Sequence, residues 1–164
     1  MQYREATESD VPALARIRAR EWETEEYWIA RISAYRNGTI HPQQALLPRV
    51  IFVALEEDGS IPGFIAGHLT RRHGCDGELE WINVIPEQRG AGIALALLQQ
   101  LAGWFIDQKA LYVCVDCDPD NLIAQRFYLR HGAESLNKHW LVWKDIRVVL
   151  YGPISNVDND PVVR

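Results

Sequence analysis

The sequence predicts an α/β fold, a mixed central sheet flanked by helices. Three observations predict it. Glu78 to Leu98 (ELEWINVIPEQRGAGIALALL) reads as a strand, a glycine-bearing loop and a helix. Ahead of it, Arg49 to Arg71 reads as a hairpin of two strands, so three antiparallel strands lead up to the loop. Behind it, strand, helix and strand alternate as far as Ile146. Such a pattern needs helices packed against a sheet of both pairing types. The 164 residues, 48% of them apolar, suit one domain with a sizeable core. That domain is expected over residues 1–146, with 147–164 as a C-terminal tail or arm.

The elements follow in order. Gln2 to Glu5 reads as a first strand. Thr7-Glu8-Ser9-Asp10 has the form of a capping box, with Thr7 as N-cap and Asp10 in the place of the usual glutamate. Val11, Leu14, Ala15 and Ile17 mark a helix to about Arg20. The acidic and aromatic stretch Glu21 to Trp28 joins or begins a second helix, which ends before Asn37-Gly38. Trp22 and Trp28 either pack beneath a charged face or wall a pocket. Arg49 to Glu56 is a strand, Glu57 to Ser60 a hairpin turn and Ile61 to Arg71 the partner strand. Gly63 and Gly67 inside that partner predict a bend or a close backbone contact. Leu79 to Ile85 is a well-buried strand ended by Pro86, and Ala94, Leu97, Leu98, Leu101 and Phe105 give the next helix one apolar stripe. Ala110 to Asp116 is a strand, Asp118 to Asn121 a turn, and Leu122 to His131 a helix stopped by Gly132. An extra strand is expected near Ala133 and a last one over His139 to Ile146. The polar, turn-rich end of the chain would either fray or pack on another subunit of a homodimer.

The loop between the central strand and its helix carries the first chemical signal. Gly90 and Gly92 have no side chains, so a ligand can approach the backbone. The first N–H groups of a helix lack partners and lie at the positive end of its dipole, which suits phosphate or pyrophosphate. The loop is no triphosphatase loop, because no Gly-Lys-Ser/Thr follows. It is no dinucleotide fingerprint either, because Leu95 stands where the third glycine belongs.

The pattern Arg-x-x-Gly-x-Ala (Arg89, Gly92, Ala94), set after Asn83-Val84-Ile85-Pro86, resembles motif A of the GNAT superfamily of N-acetyltransferases. A second stretch, Asn121-Leu-Ile-Ala124-Gln-Arg-Phe127-Tyr128-Leu-Arg-His-Gly132-Ala133, resembles the later motif of the same family, with Ala133 where phenylalanine is usual. The resemblance covers about Arg49 to Ile146 and is specific from Leu79 to Gly132. It implies an acyl-CoA N-acyltransferase fold whose central strand and the next one splay apart. It implies that the amides of Arg89, Gly90, Ala91, Gly92, Ile93 and Ala94 hold the pyrophosphate of acetyl-CoA. The backbone of Ile82, Asn83 and Val84, with Asn121, would hold the pantetheine arm. One N–H of that strand would polarise the thioester carbonyl.

Acyl transfer to an amine also needs an acid and a base. Tyr128 has a proton to give to the departing thiolate, and the resemblance places it near the sulfur. Without that placement it would read as a packing residue. The base is expected to be Glu80 first, then Glu78, then Asp116. Glu78 and Glu80 are two apart on a strand, so they face one side. A carboxylate inside an apolar strand needs a partner or a function. Cys114 and Cys117 look like a metal or redox pair, but positions three apart on a strand face opposite sides and there is no second pair. No metal is expected. His68 and His73 are expected on a strand face and in a turn.

Composition narrows the partners. A net charge of −5 opposes nucleic acid. There is no long apolar run for a membrane span and no secretory signal in MQYREATESD. Three cysteines, an odd number, give no disulfide framework and suit a reducing cytoplasm. The sequence thus reads as a cytoplasmic N-acetyltransferase moving an acetyl group from acetyl-CoA to a primary amine by direct transfer. The amine is a small molecule or a peptide. The competing readings are a non-catalytic acyl-CoA-binding or sensing module on the same fold, and a nucleotide-binding regulator, which the missing loop lysine disfavours.

Overall fold

The computed structural model of the chain describes residues 1–153. The strands are β1 (Gln2–Glu5), β2 (Ala45–Leu55), β3 (Gly63–Thr70), β4 (Gly77–Val84), β5 (Val113–Asp116), β6 (Glu134–Ser135) and β7 (Trp140–Trp143). The helices are α1 (Val11–Ala19), α2 (Glu25–Asn37), α3 (Ile93–Asp107), α4 (Leu122–Arg130) and α5 (Val148–Tyr151). All seven strands form one sheet in the order β1-β2-β3-β4-β5-β7-β6. Every neighbouring pair is antiparallel except β4–β5, which is parallel and joined through α3. This is the mixed sheet with flanking helices that the sequence predicts.

Helices α1 and α2 cover one face of the sheet, where Leu14, Ile32 and Tyr35 meet Val53, Phe64, Ala66 and Trp81. Helix α3, with Tyr128 of α4 and Val149 of α5, covers the other. The expected stripe on α3 is the centre of that second core: Leu97, Leu98, Leu101 and Phe105 are each at most 1% exposed. Burying each such side chain contributes about 1.5–3 kcal/mol. Gly67 lets α3 lie this close, since a Cβ there would stand 2.8 Å from Leu101 Cδ1.

Some boundaries differ from expectation for local reasons. β5 starts at Val113 rather than Ala110, because the Ala110 N–H still donates to Phe105 O at 2.8 Å and finishes α3. The last strand stops at Trp143 rather than Ile146, because Asp145 accepts from the Arg147 N–H at 3.0 Å and turns the chain into α5. The start of the expected tail therefore belongs to the packed unit, with Val149 buried beside α3. The rest of the tail, and with it the expected arm on another subunit, lies outside the described residues. Among the described residues no helix is long and apolar enough to cross a membrane.

Two irregularities of β4 shape the site. Opposite β3, Trp81 pairs with Ala66 and Leu79 with Gly67, so Glu80 is an extra residue, a bulge. Leu79 consequently packs toward α3 and Trp81 toward α1 and α2, although they are two apart. Opposite β5, pairing ends at Leu79 with Val115. From Glu80 to Val84 the strand has no neighbour on that side, which is the splay that the resemblance implies.

Candidate active site

At the end of β4 the chain makes one 3-10 turn, Pro86–Gln88, and enters the glycine loop. Gly90 and Gly92 both have φ 83°, a left-handed conformation that side chains rarely adopt, and Gly92 caps α3. Ile93 is buried and anchors the helix start, while Gly90, Ala91 and Gly92 are exposed. The N–H groups from Gly90 to Leu95 donate to no protein acceptor among the described residues; the first closed bond is Ala96 N to Gly92 O at 3.1 Å. A Cβ built on either glycine meets nothing within 4 Å, so there is open space beside the loop. This row of free donors at a helix start fits a pyrophosphate. Arg89, whose amide is expected among these donors, does not join them: its N–H donates to Pro86 O at 3.3 Å and closes the turn, and its side chain points away, Nε donating to Val84 O at 3.1 Å and Nη2 to Glu21 at 3.2 Å. A cleft of about 240 Å³ opens beside the loop, lined by Ile17, Glu21, Asn83, Val84 and Arg89 among others.

The open half of β4 carries Ile82, Asn83 and Val84. Ile82 and Val84 pack toward α3, and the Asn83 side chain accepts from Arg18 Nη1 at 2.9 Å on the other face. Across the splay, Asn121 caps α4, its Oδ1 accepting from the Ala124 N–H at 3.1 Å. That leaves its amide nitrogen without an acceptor among the described residues. Tyr128 is buried edge-on against Trp143 (5.7 Å between ring centroids) and close to Cys117 and Asp116, at the end of β5. Burial holds its phenol well above the usual range, so the proton stays on oxygen. Asn121 is exposed and Tyr128 buried, so the two do not share one solvent-facing stripe. Asp116 is exposed at the end of its strand.

Glu78 and Glu80 face one side, as their spacing predicts, and they meet there over the buried His68. Their environments differ. Arg72 Nε donates to Glu78 Oε1 at 2.8 Å, and the guanidinium also binds Gln43 O. Burial still leaves the Glu78 carboxyl above its ordinary value. Glu80 has no such partner among the described residues. Burial, then the Glu78 charge, pushes it up to about 7, against the pull of Arg31 and Arg18. His68 takes the Tyr35 hydroxyl on Nδ1 at 2.8 Å, and burial lowers it to about 3. It is therefore neutral, and its contacts of 3.6 Å with Glu78 and 4.0 Å with Glu80 are not ion pairs. His68, Glu78 and Glu80 have potential ligand atoms within 4.8 Å of one another, the one such group among the described residues. Arg72 and Tyr35 already engage two of its members. A carboxylate poised near neutrality is what proton removal from an amine requires.

The profile of the Acetyltransferase (GNAT) family matches residues 11–133, most of the chain. The chain belongs to the GNAT acetyltransferase family. Solved structures agree on its fold. An aminoglycoside antibiotic 6'-N-acetyltransferase from Acinetobacter haemolyticus is similar at a TM-score of 0.71 and 18% identity, covering 84% of this chain and 94% of its own. A ribosomal-protein-alanine N-acetyltransferase from Brucella melitensis is similar at 0.62 and 21%, covering 87% and 96%. An N-acetyltransferase from Staphylococcus aureus Mu50 is similar at 0.64 and 22%, covering 86% and 93%. No curated protein matches the chain significantly.

On this GNAT scaffold the three cysteines are unpaired and buried. Cys117 packs in the α3 core and Cys114 with Cys75 and Val142, so the two members of the apparent pair lie in different clusters. His68 sits on a strand and His73 in the turn Arg72–Gly74, as expected. The sequence reading missed Arg72, Tyr35 and Arg18. Arg18 is four residues before Trp22, and the turn that follows α1 brings the cation and the ring together, the Trp22 N–H donating to Arg18 O at 3.2 Å. Arg72 and Tyr35 reach their partners only through hairpin and sheet packing.

Proposed function

We propose that this GNAT-family acetyltransferase moves an acetyl group from acetyl-CoA directly to a primary amine. One observation carries the reading. One strand, β4, leads to both parts of the site: the free amides of the glycine loop follow one turn after its end, and Glu80, desolvated, forms its bulge. A module that only bound acyl-CoA would need the first and not the second. Glu80, ionised above about pH 7, takes the proton of the acceptor ammonium, directly or through water. The amine nitrogen then attacks the acetyl carbon. An N–H on the open edge of β4 stabilises the oxyanion. As the C–S bond breaks, Tyr128 protonates the thiolate; the second proton, leaving the new amide nitrogen, restores the phenol, and the proton held by Glu80 returns to solvent. The residues named need no metal for these steps. The unpaired thiols suit a cytoplasmic protein.

The test is a panel of primary amines and N-terminal peptides with acetyl-CoA, read as thiol release. Acetylated product from at least one amine supports the reading. Tight acetyl-CoA binding with no product from any amine would instead favour the acyl-CoA-binding module.

A further inference from the structure

Arg18 lies on α1 beside the open half of β4. Three indoles surround its guanidinium, whose Cζ stands 4.4 Å from the Trp28 ring centroid, 5.1 Å from Trp22 and 5.7 Å from Trp81. Nη1 donates to the neutral Asn83 amide at 2.9 Å. Nε is shut off from water with no acceptor, and Nη2 has none among the described residues. Other arginines of the chain are matched to carboxylates: Arg4 to Asp10, Arg20 to Glu87, Arg72 to Glu78 and Arg147 to Asp145. Glu21, the acid nearest Arg18 in sequence, bonds Arg89 instead, and its charge reaches Arg18 without a hydrogen bond.

Aromatic faces stabilise a cation but do not replace its counter-ion, and a buried cation without an anion is costly. Stacking also covers the flat sides of the guanidinium and leaves its edge. With Nη1 engaged by Asn83 and Nε shut off, Nη2 is the donor left for a charge-assisted hydrogen bond to a carboxylate. Asn83, which holds Arg18 in place, lines the cleft beside the glycine loop. Arg18 and Glu80 are close enough to act on each other's charge, yet they form no ion pair. An acceptor that carries both charges would complement the two residues: carboxylate toward Arg18, ammonium toward Glu80.

We infer that Arg18 receives a carboxylate of the acceptor, so that the substrate is an amino acid, its amine directed at Glu80. The inference rests on the amine-acetylation reading above and names its substrate class. Arg18 is a specificity residue and takes no part in bond making.

The experiment sets each standard amino acid against its decarboxylated amine, using the full chain, acetyl-CoA and thiol release. For the best pair, kcat/KM should favour the carboxylated member by about 10- to 100-fold, the size of a lost charge-assisted hydrogen bond. Arg18→Gln should erase that preference mainly through KM, and Arg18→Lys should restore part of it. Equal turnover of both members by the wild type overturns the inference while leaving amine acetylation standing. The wild-type comparison decides even if the variants do not fold. A turnover-independent readout is calorimetric titration of amino acids into the CoA-saturated protein. Binding that Arg18→Gln abolishes supports the contact. No binding of any amino acid overturns it, whether or not the chain proves catalytic.

Discussion

Replacing Glu80 by glutamine separates what the site gives to chemistry from what it takes from stability. The carboxyl is held at about 7 against an ordinary 4.5, chiefly by burial. At about 1.4 kcal/mol per pH unit, ionising it in the folded protein costs roughly 3 kcal/mol more than in the unfolded chain. The sign follows from linkage. A raised carboxyl binds its proton longer in the folded state, so this group's contribution falls as pH rises from about 4.5 to about 7 and is constant above. Glutamine resembles the neutral acid and escapes that loss. Glu80→Gln should therefore match the wild type near pH 4.5 and exceed it by up to about 3 kcal/mol at pH 9. For a domain of this size, that is roughly 6–12 °C in Tm. Activity should move the other way. General base help is worth about a hundredfold to ten-thousandfold, so kcat/KM should fall by that range. The wild-type rise of kcat/KM through about pH 7 should disappear as well. The assays are thermal unfolding at the two pH values and a pH-rate profile with a genuine acceptor. A Tm difference that is the same at both pH values would show that the carboxyl is not desolvated. An unchanged kcat/KM would move the base elsewhere.

Further outcomes are expected at the other parts of the site. Gly92→Asp sets a negative side chain against the free amides at a left-handed position that aspartate tolerates, so the fold should survive while acetyl-CoA binds about 10- to 100-fold more weakly by calorimetry; equal affinity would move the pyrophosphate site. Tyr128→Phe removes only the hydroxyl from a buried ring, so kcat should drop about a hundredfold or more with acetyl-CoA affinity and Tm nearly unchanged, and a wild-type kcat would make Tyr128 a packing residue. Elemental analysis should find no stoichiometric metal, and chelator should leave turnover intact. One retained ion per chain, lost together with activity, would assign His68, Glu78 and Glu80 as its ligands instead.

Much of the architecture was legible in the sequence because it depends on neighbours along the chain. The α3 stripe, the stop at Pro86, the two glycines at the helix start and the turn at Asp118 to Asn121 are local features. Period, proline and glycine express them directly. The same face for Glu78 and Glu80 also followed from spacing. The bulge that sends Trp81 to the opposite side from Leu79 did not, because it exists only in the register with β3. Nor did spacing rank the two carboxylates by environment. Arg72 reaches Glu78 across the hairpin, and Glu80 is left without such a partner beside a neutral His68. Arg18 and Asn83 are 65 residues apart and meet only when α1 packs on β4. Residue types and their order thus determined the family scaffold and the list of reactive groups. The tertiary structure decided which of them are dry, paired or exposed, because desolvation and charge depend on atoms that the chain brings together only by folding.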